Sequence, residues 1–128
     1  MIRVFVKKQN NYPVKTTKIK KTLQLFFEKE GIVSEAYVSV AIVGETKMLA
    51  LAKKYHKDRK LHNVFSFVEN EVTEFKYPVG AGINLGEIVI CYPVVVNESN
   101  KEGKLIEDKV VELILHASEH LLGRHHPE

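Results

Sequence analysis

Three histidines near the end of the printed sequence have the spacing of ligands for one divalent metal ion. His116 and His120 lie four residues apart in a strongly apolar segment, so on a helix their rings project from one face about one turn apart. Gly123 can end that helix in a left-handed turn, which lets His126 fold back toward the same ion. The pattern H-x3-H-x2-G-x2-H therefore predicts a three-histidine site, with His125 as an alternative third ligand.

Imidazole ligands favour zinc, although the same set can hold nickel, cobalt or copper. Three protein ligands leave a fourth position for water, which is typical of a catalytic rather than a structural zinc site. Zinc lowers the pKa of such a water to about 7 and so makes hydroxide available at neutral pH. We expect one zinc ion per chain. The alternative is a set of unrelated histidines on a helix flank and in a polar tail.

A similar spacing occurs in zinc proteases with the motif H-E-x-x-H-x-x-G-x-x-H, where the glutamate is the general base. Ala117 stands at that position here. Glu119 does not substitute for it, because it lies three residues from His116 and points away from where the activated water would sit. A protease is therefore disfavoured.

The remaining sequence predicts a single domain, residues 1–128, that positions these histidines. A chain of 128 residues with 45% apolar composition suits one compact core. It shows neither a membrane span nor a signal peptide, so we expect a soluble, cytoplasmic protein without a membrane partner. Cys91 lies in an apolar run and is expected to be a buried hydrophobe rather than a reactive thiol.

Alternating strand and helix signals predict an α+β (mixed α/β) fold, with a small mixed sheet packed against helices and a central C-terminal metal-binding helix. Periodicity places strands at residues 2–6, 36–43, 63–69 and 86–91. The long last helix, residues 105–123, is apolar on nearly every side from Val110 onward and should be buried.

Helix boundaries are predicted from capping and turn residues. Thr16 or Thr17 can cap a first helix that Gly31 ends, and a second helix should follow Gly44. Residues 92–100 can form either helix or strand, and 99–104 should be a break. The segment with three turn-forming residues is expected to be a loop: Pro78, Gly80 and Gly82.

The net charge of +3 is modest but unevenly distributed. Residues 3–21 carry seven lysines and arginines and no acidic residue, and residues 53–62 carry five against Asp58 alone. Such clusters suit a phosphate backbone, although lysine-rich helix faces are usually only solvated surface.

Taken together, these features resemble the YbeY family, single-strand-specific endoribonucleases that mature ribosomal RNA in bacteria. The family signature H-G-x-L-H-L-x-G-Y-D-H corresponds to H-A-S-E-H-L-L-G-R-H-H here. The matching positions are His116, His120, Leu121, Gly123 and His126. LAKKYHKDRKLHNVFSF and LGEIVI also resemble family segments in the same order, so the likeness covers nearly the full chain.

The resemblance implies a metal-dependent endoribonuclease that acts in ribosomal RNA processing and ribosome maturation. Its partners would be single-stranded or ribosomal RNA and the small ribosomal subunit. Candidate catalytic residues are His56, Arg59 and Ser66, the last because the family's S-F lies on the strand facing the metal helix. The basic candidates for RNA binding are Lys53, Lys54, Lys57, Arg59, Lys60 and Arg124. Each has a simpler alternative. His56 can be an ordinary loop histidine and Arg59 a solvated loop charge, while Arg124 can interact only with the helix C-terminus and Ser66 can be the small polar residue of an alternating strand.

Departures from the family pattern leave other functions open. His56 stands where the family usually has an arginine, and Leu61, His62 and Asn63 replace proline, threonine and aspartate. An imidazole reaches less far than a guanidinium and is mostly neutral at pH 7, which weakens stabilisation of a pentacovalent phosphate. One alternative is a non-catalytic RNA-binding ribosome-assembly factor with a structural metal. Another is a hydrolase of small substrates, whose activity would be insensitive to salt.

Overall fold

The computed structural model describes residues 1–68 and 82–123. In these residues the strands are β1 (Ile2–Lys8), β2 (Ala36–Val43), β3 (Val64–Phe67) and β4 (Ile83–Cys91), and the α-helices are α1 (Thr16–Lys29), α2 (Glu45–Leu51), α3 (Tyr92–Glu102) and α4 (Ile106–Leu121). The sheet order is β1-β2-β4-β3. β1, β2 and β4 are parallel, while β3 runs antiparallel to β4 at the edge. The predicted mixed α/β fold is confirmed.

Helices cover both faces of the sheet, which explains why its central strands are apolar along their whole length. From Val38 to Val43 every residue of β2 is buried. The larger core lies between one face of the sheet and α1, α3 and α4. The smaller core packs Met48, Leu51 and Ala52 against the other face, where Cys91 is fully buried as predicted.

Helix α4 packs against β3 and β4 and contributes residues to the larger core. Its buried stripe includes Val110, Leu113, Ile114 and Ala117, at spacings that keep them on one side of the helix. The expectation that this helix is buried nearly all round was wrong: Glu112 is exposed and several other side chains are only half-buried. One flank of α4 is therefore open to a cleft.

Gly86 allows β3, β4 and α4 to approach one another closely. The pairing of β2 with β4 shifts by one residue beside it, and its φ is +127°, a conformation that favours glycine. A Cβ atom at Gly86 would lie 2.5 Å from the carbonyl oxygen of Phe67 and 2.7 Å from Cδ2 of Leu121. Glycine is therefore required where these three elements meet.

Several predicted boundaries need correction. Helix α1 begins after Lys15, with no side-chain cap, so the expected threonine cap was wrong. The ambiguous segment at 92–100 is helical, and α3 continues to Glu102 because Gly103, at a φ of +68°, supplies the break. Of the predicted loop, 69–81 lies outside the described residues.

No helix in the described part of the chain is long and apolar enough to cross a bilayer.

Candidate active site

A cleft of about 920 Å³ lies between α4 and the segment that leads into and forms β3. Its lining residues on the strand side are His56, His62, Asn63, Val64, Phe65, Ser66 and Val68, and on the helix side Glu112, Leu113, His116, Ala117, His120 and Gly123. The cleft therefore has two walls, the helix wall (residues 112–123) and the loop wall (residues 56–68). Imidazoles lie on both.

On the helix wall, His116 and His120 lie one turn apart and both are half-buried. Their ring centroids are 4.5 Å apart and the ring planes are inclined by 62°. Rings this close can each place a nitrogen about 2 Å from one ion, which is the zinc to nitrogen distance in proteins. The pair thus fits two of the three predicted ligands.

The third predicted ligand, His126, lies outside the described residues, as do His125 and Arg124. Among the residues that are described, no three histidine, cysteine or acidic side chains are grouped to hold a metal ion. The third ligand therefore stays a prediction, with His126 as the residue that the sequence favours.

Strand β3 forms the centre of the loop wall. Its side chains alternate between the two faces of the sheet, and Phe65 borders the cleft as well as Val64 and Ser66. Phe65 and Phe67 are buried and belong to the smaller core. Ser66 and Val64 point to the opposite side and line the cleft. Ser66 thus faces the space that His116 also borders, where the family resemblance predicts it.

The segment before β3 departs from regular helix at the point where it supplies His56. After α2 the chain forms a π-helical turn, Ala52–His56, and Lys57 then takes a left-handed conformation with a φ of +53°. Single π-helical turns are rare and often occur at functional sites. The His56 ring stacks on Phe65, with centroids 4.5 Å apart and planes inclined by only 9°.

The loop that follows carries a second imidazole that the sequence did not identify as functional. The Nε2 atom of His62 lies 3.1 Å from both carboxylate oxygens of Asp58. The backbone NH of Lys60 donates to the same carboxylate at 3.2 Å. Hydrogen bonding from His62, which burial opposes only partly, lowers the pKa of Asp58, and the nearby His56 charge acts in the same direction.

A signal for this pair existed in the sequence. Asp58 is the single acidic residue among five basic ones between positions 53 and 62, and His62 follows it by four residues. Without the fold, His62 is only a departure from the family's threonine, since spacing outside a regular helix does not reveal contact.

At one end of the helix wall, the exposed Glu112 belongs to an ion-pair network centred on Lys109. The Lys109 ammonium is nearly buried and donates to Glu102 and Glu112 at 3.0 and 2.9 Å. Burial disfavours its charge, but the two carboxylates outweigh this and raise the pKa of Lys109. Asn63 connects the loop wall to the same region by donating to Glu98 at 3.0 Å.

The described basic candidates lie close in sequence to His56 and His62 of the loop wall. All five are exposed: Lys53, Lys54, Lys57, Arg59 and Lys60. The Lys54 ammonium lies 5.2 Å from the centroid of the Tyr55 ring. Of the predicted catalytic residues, His56 and Ser66 line the cleft, whereas Arg59 is not one of the described residues that line it.

Comparisons with known proteins point to one family. The family model described as Endoribonuclease YbeY matches residues 5–128. The chain is 36% identical over 96 residues to "Endoribonuclease YbeY" of Azoarcus sp. (strain BH72), which covers 74% of this chain and 37% of that protein. It is 28% identical over 113 residues to the protein of the same name from Acinetobacter baumannii, covering 88% of this chain and 71% of that one.

Among solved structures, the fold is similar to the solution structure of TM1509 from Thermotoga maritima. The TM-score is 0.62, and the match covers 99% of this chain and 75% of that one. The sequence identity is 22%, so this likeness supports the fold alone. The chain also spans little more than a third of the length of the Azoarcus protein.

Proposed function

The chain belongs to the YbeY family, as its motifs predicted, and on that premise we propose that it is a metal-dependent endoribonuclease that cleaves single-stranded RNA. Ribosomal RNA within the small subunit is the proposed substrate. The observation that carries the proposal is the cleft in which His116 and His120 on α4 face Ser66 and His56 on the other wall. The family match supports an endoribonuclease reaction, and the cleft supports the location proposed for its active site.

In this proposal the metal ligands are His116, His120 and His126, and the ion is zinc. When bound there, zinc supplies a Lewis acid that withdraws charge from the scissile phosphate and makes water a nucleophile at neutral pH. The neutral donor set supports zinc over magnesium, since magnesium prefers oxygen ligands.

The residues of the chain itself bind and orient the RNA. The exposed lysines of the 53–60 segment would contact phosphates on the approach to the loop wall, and the Ser66 hydroxyl would hydrogen-bond a phosphate oxygen inside the cleft. His56, held flat against Phe65, would stabilise phosphate charge when protonated. Phosphate contacts of this kind release counterions, so affinity for RNA should fall steeply with salt.

Elemental analysis and RNA cleavage test the proposal on the same preparations. Untagged wild-type protein should contain about one equivalent of zinc and cleave a labelled single-stranded oligoribonucleotide until a chelator is added. Replacing a ligand, as in His116→Ala, His120→Ala or His126→Ala, should remove both the metal and the cleavage. His125→Ala is the matched control and should retain both, since its neighbour is the preferred ligand.

Each remaining outcome contradicts part of the proposal. Zinc without cleavage, together with salt-sensitive RNA binding, would favour the assembly factor that holds RNA without cutting it. Cleavage that persists after removal of the metal would rule out metal dependence. A protein without metal would remove the basis for the three-histidine site.

A further inference from the structure

The Asp58–His62 pair lies on the wall of the cleft opposite the helix histidines. His62 lines the cleft, its side chain is 29% exposed, and Asp58 is 33% exposed. The carboxylate is bonded by both oxygens to one ring nitrogen, Nε2. An ionised carboxylate can only accept, so Nε2 carries a proton and Nδ1 is the nitrogen left for exchange with a substrate.

The local backbone holds this pair in place. Lys57 takes its left-handed conformation between the π-helical turn and Asp58, and the Lys60 NH fixes the carboxylate from the other side. The His62 ring lies 4.7 Å from Phe65 and 5.6 Å from His56, measured between centroids. A carboxylate that orients one imidazole nitrogen while the other borders a reaction site is the arrangement used for proton transfer.

We propose that His62 is the general acid of the cleft and that Asp58 positions its ring. This inference rests on the proposed ribonuclease activity. It names His62 as the residue that donates a proton to the leaving ribose oxygen.

The proton and electron balance of the step is simple. As the oxygen of water bonds to phosphorus, the bond from phosphorus to the leaving ribose oxygen breaks and that oxygen keeps the electron pair. Nδ1 of the His62 imidazolium gives its proton to this oxygen, which leaves as a hydroxyl. The proton released by water goes to solvent, and solvent restores the proton of His62.

Titratable groups around His62 come from both walls. Asp58 and His56 belong to its own segment, and Glu112, His116 and His120 line the cleft from α4. Among these, Asp58 is bonded directly to the ring, so its replacement should disturb the position of His62 most.

Two variants test the assignment in the metal-loaded protein with a labelled single-stranded oligoribonucleotide. His62→Gln keeps a donor for Asp58 but cannot exchange a proton, so kcat should fall by about 100-fold or more with KM and zinc content unchanged. Asp58→Asn keeps an acceptor for His62 but loses the charge. Its kcat should fall by about tenfold with KM and zinc content unchanged, since the acceptor that remains holds the imidazole ring less firmly.

Controls distinguish a catalytic effect of His62 from a loss of stability and from failure of the ribonuclease proposal itself. Glu28→Gln removes an exposed carboxylate on α1 and should leave kcat and KM unchanged. Both cleft variants should bind RNA as the wild type does, and thermal melting should show that each is fully folded at the assay temperature. A wild-type kcat in His62→Gln, with an active wild type, would overturn this inference and leave the ribonuclease proposal intact. An inactive wild type would instead overturn the ribonuclease proposal, and this inference with it.

Discussion

The two walls of the cleft are built by different means. The helix wall places His116 and His120 through the regular repeat of α4, whose opposite side is anchored in the larger core. The loop wall places His56 and His62 through a π-helical turn, a left-handed lysine and a carboxylate contact. Helical periodicity can be recognised in a sequence, whereas an irregular backbone depends on contacts that only the fold reveals.

The largest expected loss of stability comes from a substitution at Gly86, where β3, β4 and α4 lie in close contact. Gly86→Ala would add a Cβ 2.5 Å from the Phe67 carbonyl oxygen at a φ unsuited to alanine. Backbone strain and overpacking should together lower the free energy of unfolding by roughly 2–6 kcal/mol, measured by urea denaturation. Gly103→Ala is the matched control, because its φ is also positive but no atom lies within 4 Å of the added carbon. Equal losses in the two variants would contradict close packing at Gly86.

The next prediction compares the anchoring of the two walls directly. Ile114 is fully buried in α4, so Ile114→Ala should cost about 2–5 kcal/mol of unfolding free energy. Leu61 is only partly buried against the smaller core, so Leu61→Ala should cost less than about 2 kcal/mol. Urea denaturation of both variants under one condition measures the contrast. A larger loss at Leu61 would show that the loop wall is the better anchored of the two.

The same contrast explains how far the sequence predicted the molecule. The bounds of β2 were predicted to the residue and α4 to within two residues, since strand and helix periods are strong in these segments. The sequence does not decide between helix and strand for 92–100, because Pro93 followed by three valines is compatible with both. Packing against the sheet decides between them. The sequence also predicted the histidine pair on α4, but gave no account of the contact between Asp58 and His62.

A smaller effect, of opposite sign, is expected at the strained residue of the loop wall. Lys57 adopts a left-handed conformation that costs a non-glycine residue about 1–2 kcal/mol, part of which the flexibility of unfolded glycine offsets. Lys57→Gly should therefore raise the free energy of unfolding by about 0.5–1 kcal/mol. Lys53→Gly, within the π-helical turn, should instead lower it by a similar amount. A destabilised Lys57→Gly protein would mean that the side chain makes contacts that outweigh the strain.

The smallest expected effect is the pH dependence of stability. It is compared for one carboxylate from each wall, Asp58 and Glu112. The hydrogen bond from His62 lowers the pKa of Asp58 below its ordinary 3.8, while Lys104 and Lys109 lower that of Glu112 below 4.5. A lowered pKa contributes stability that is complete above the ordinary value and is lost as the pH falls through the folded value. Asp58→Asn and Glu112→Gln should therefore each lower the urea midpoint near neutral pH, and each difference from the wild type should shrink toward about pH 3. A constant difference for Asp58→Asn across this range would mean that its hydrogen bond, rather than its charge, stabilises the loop wall.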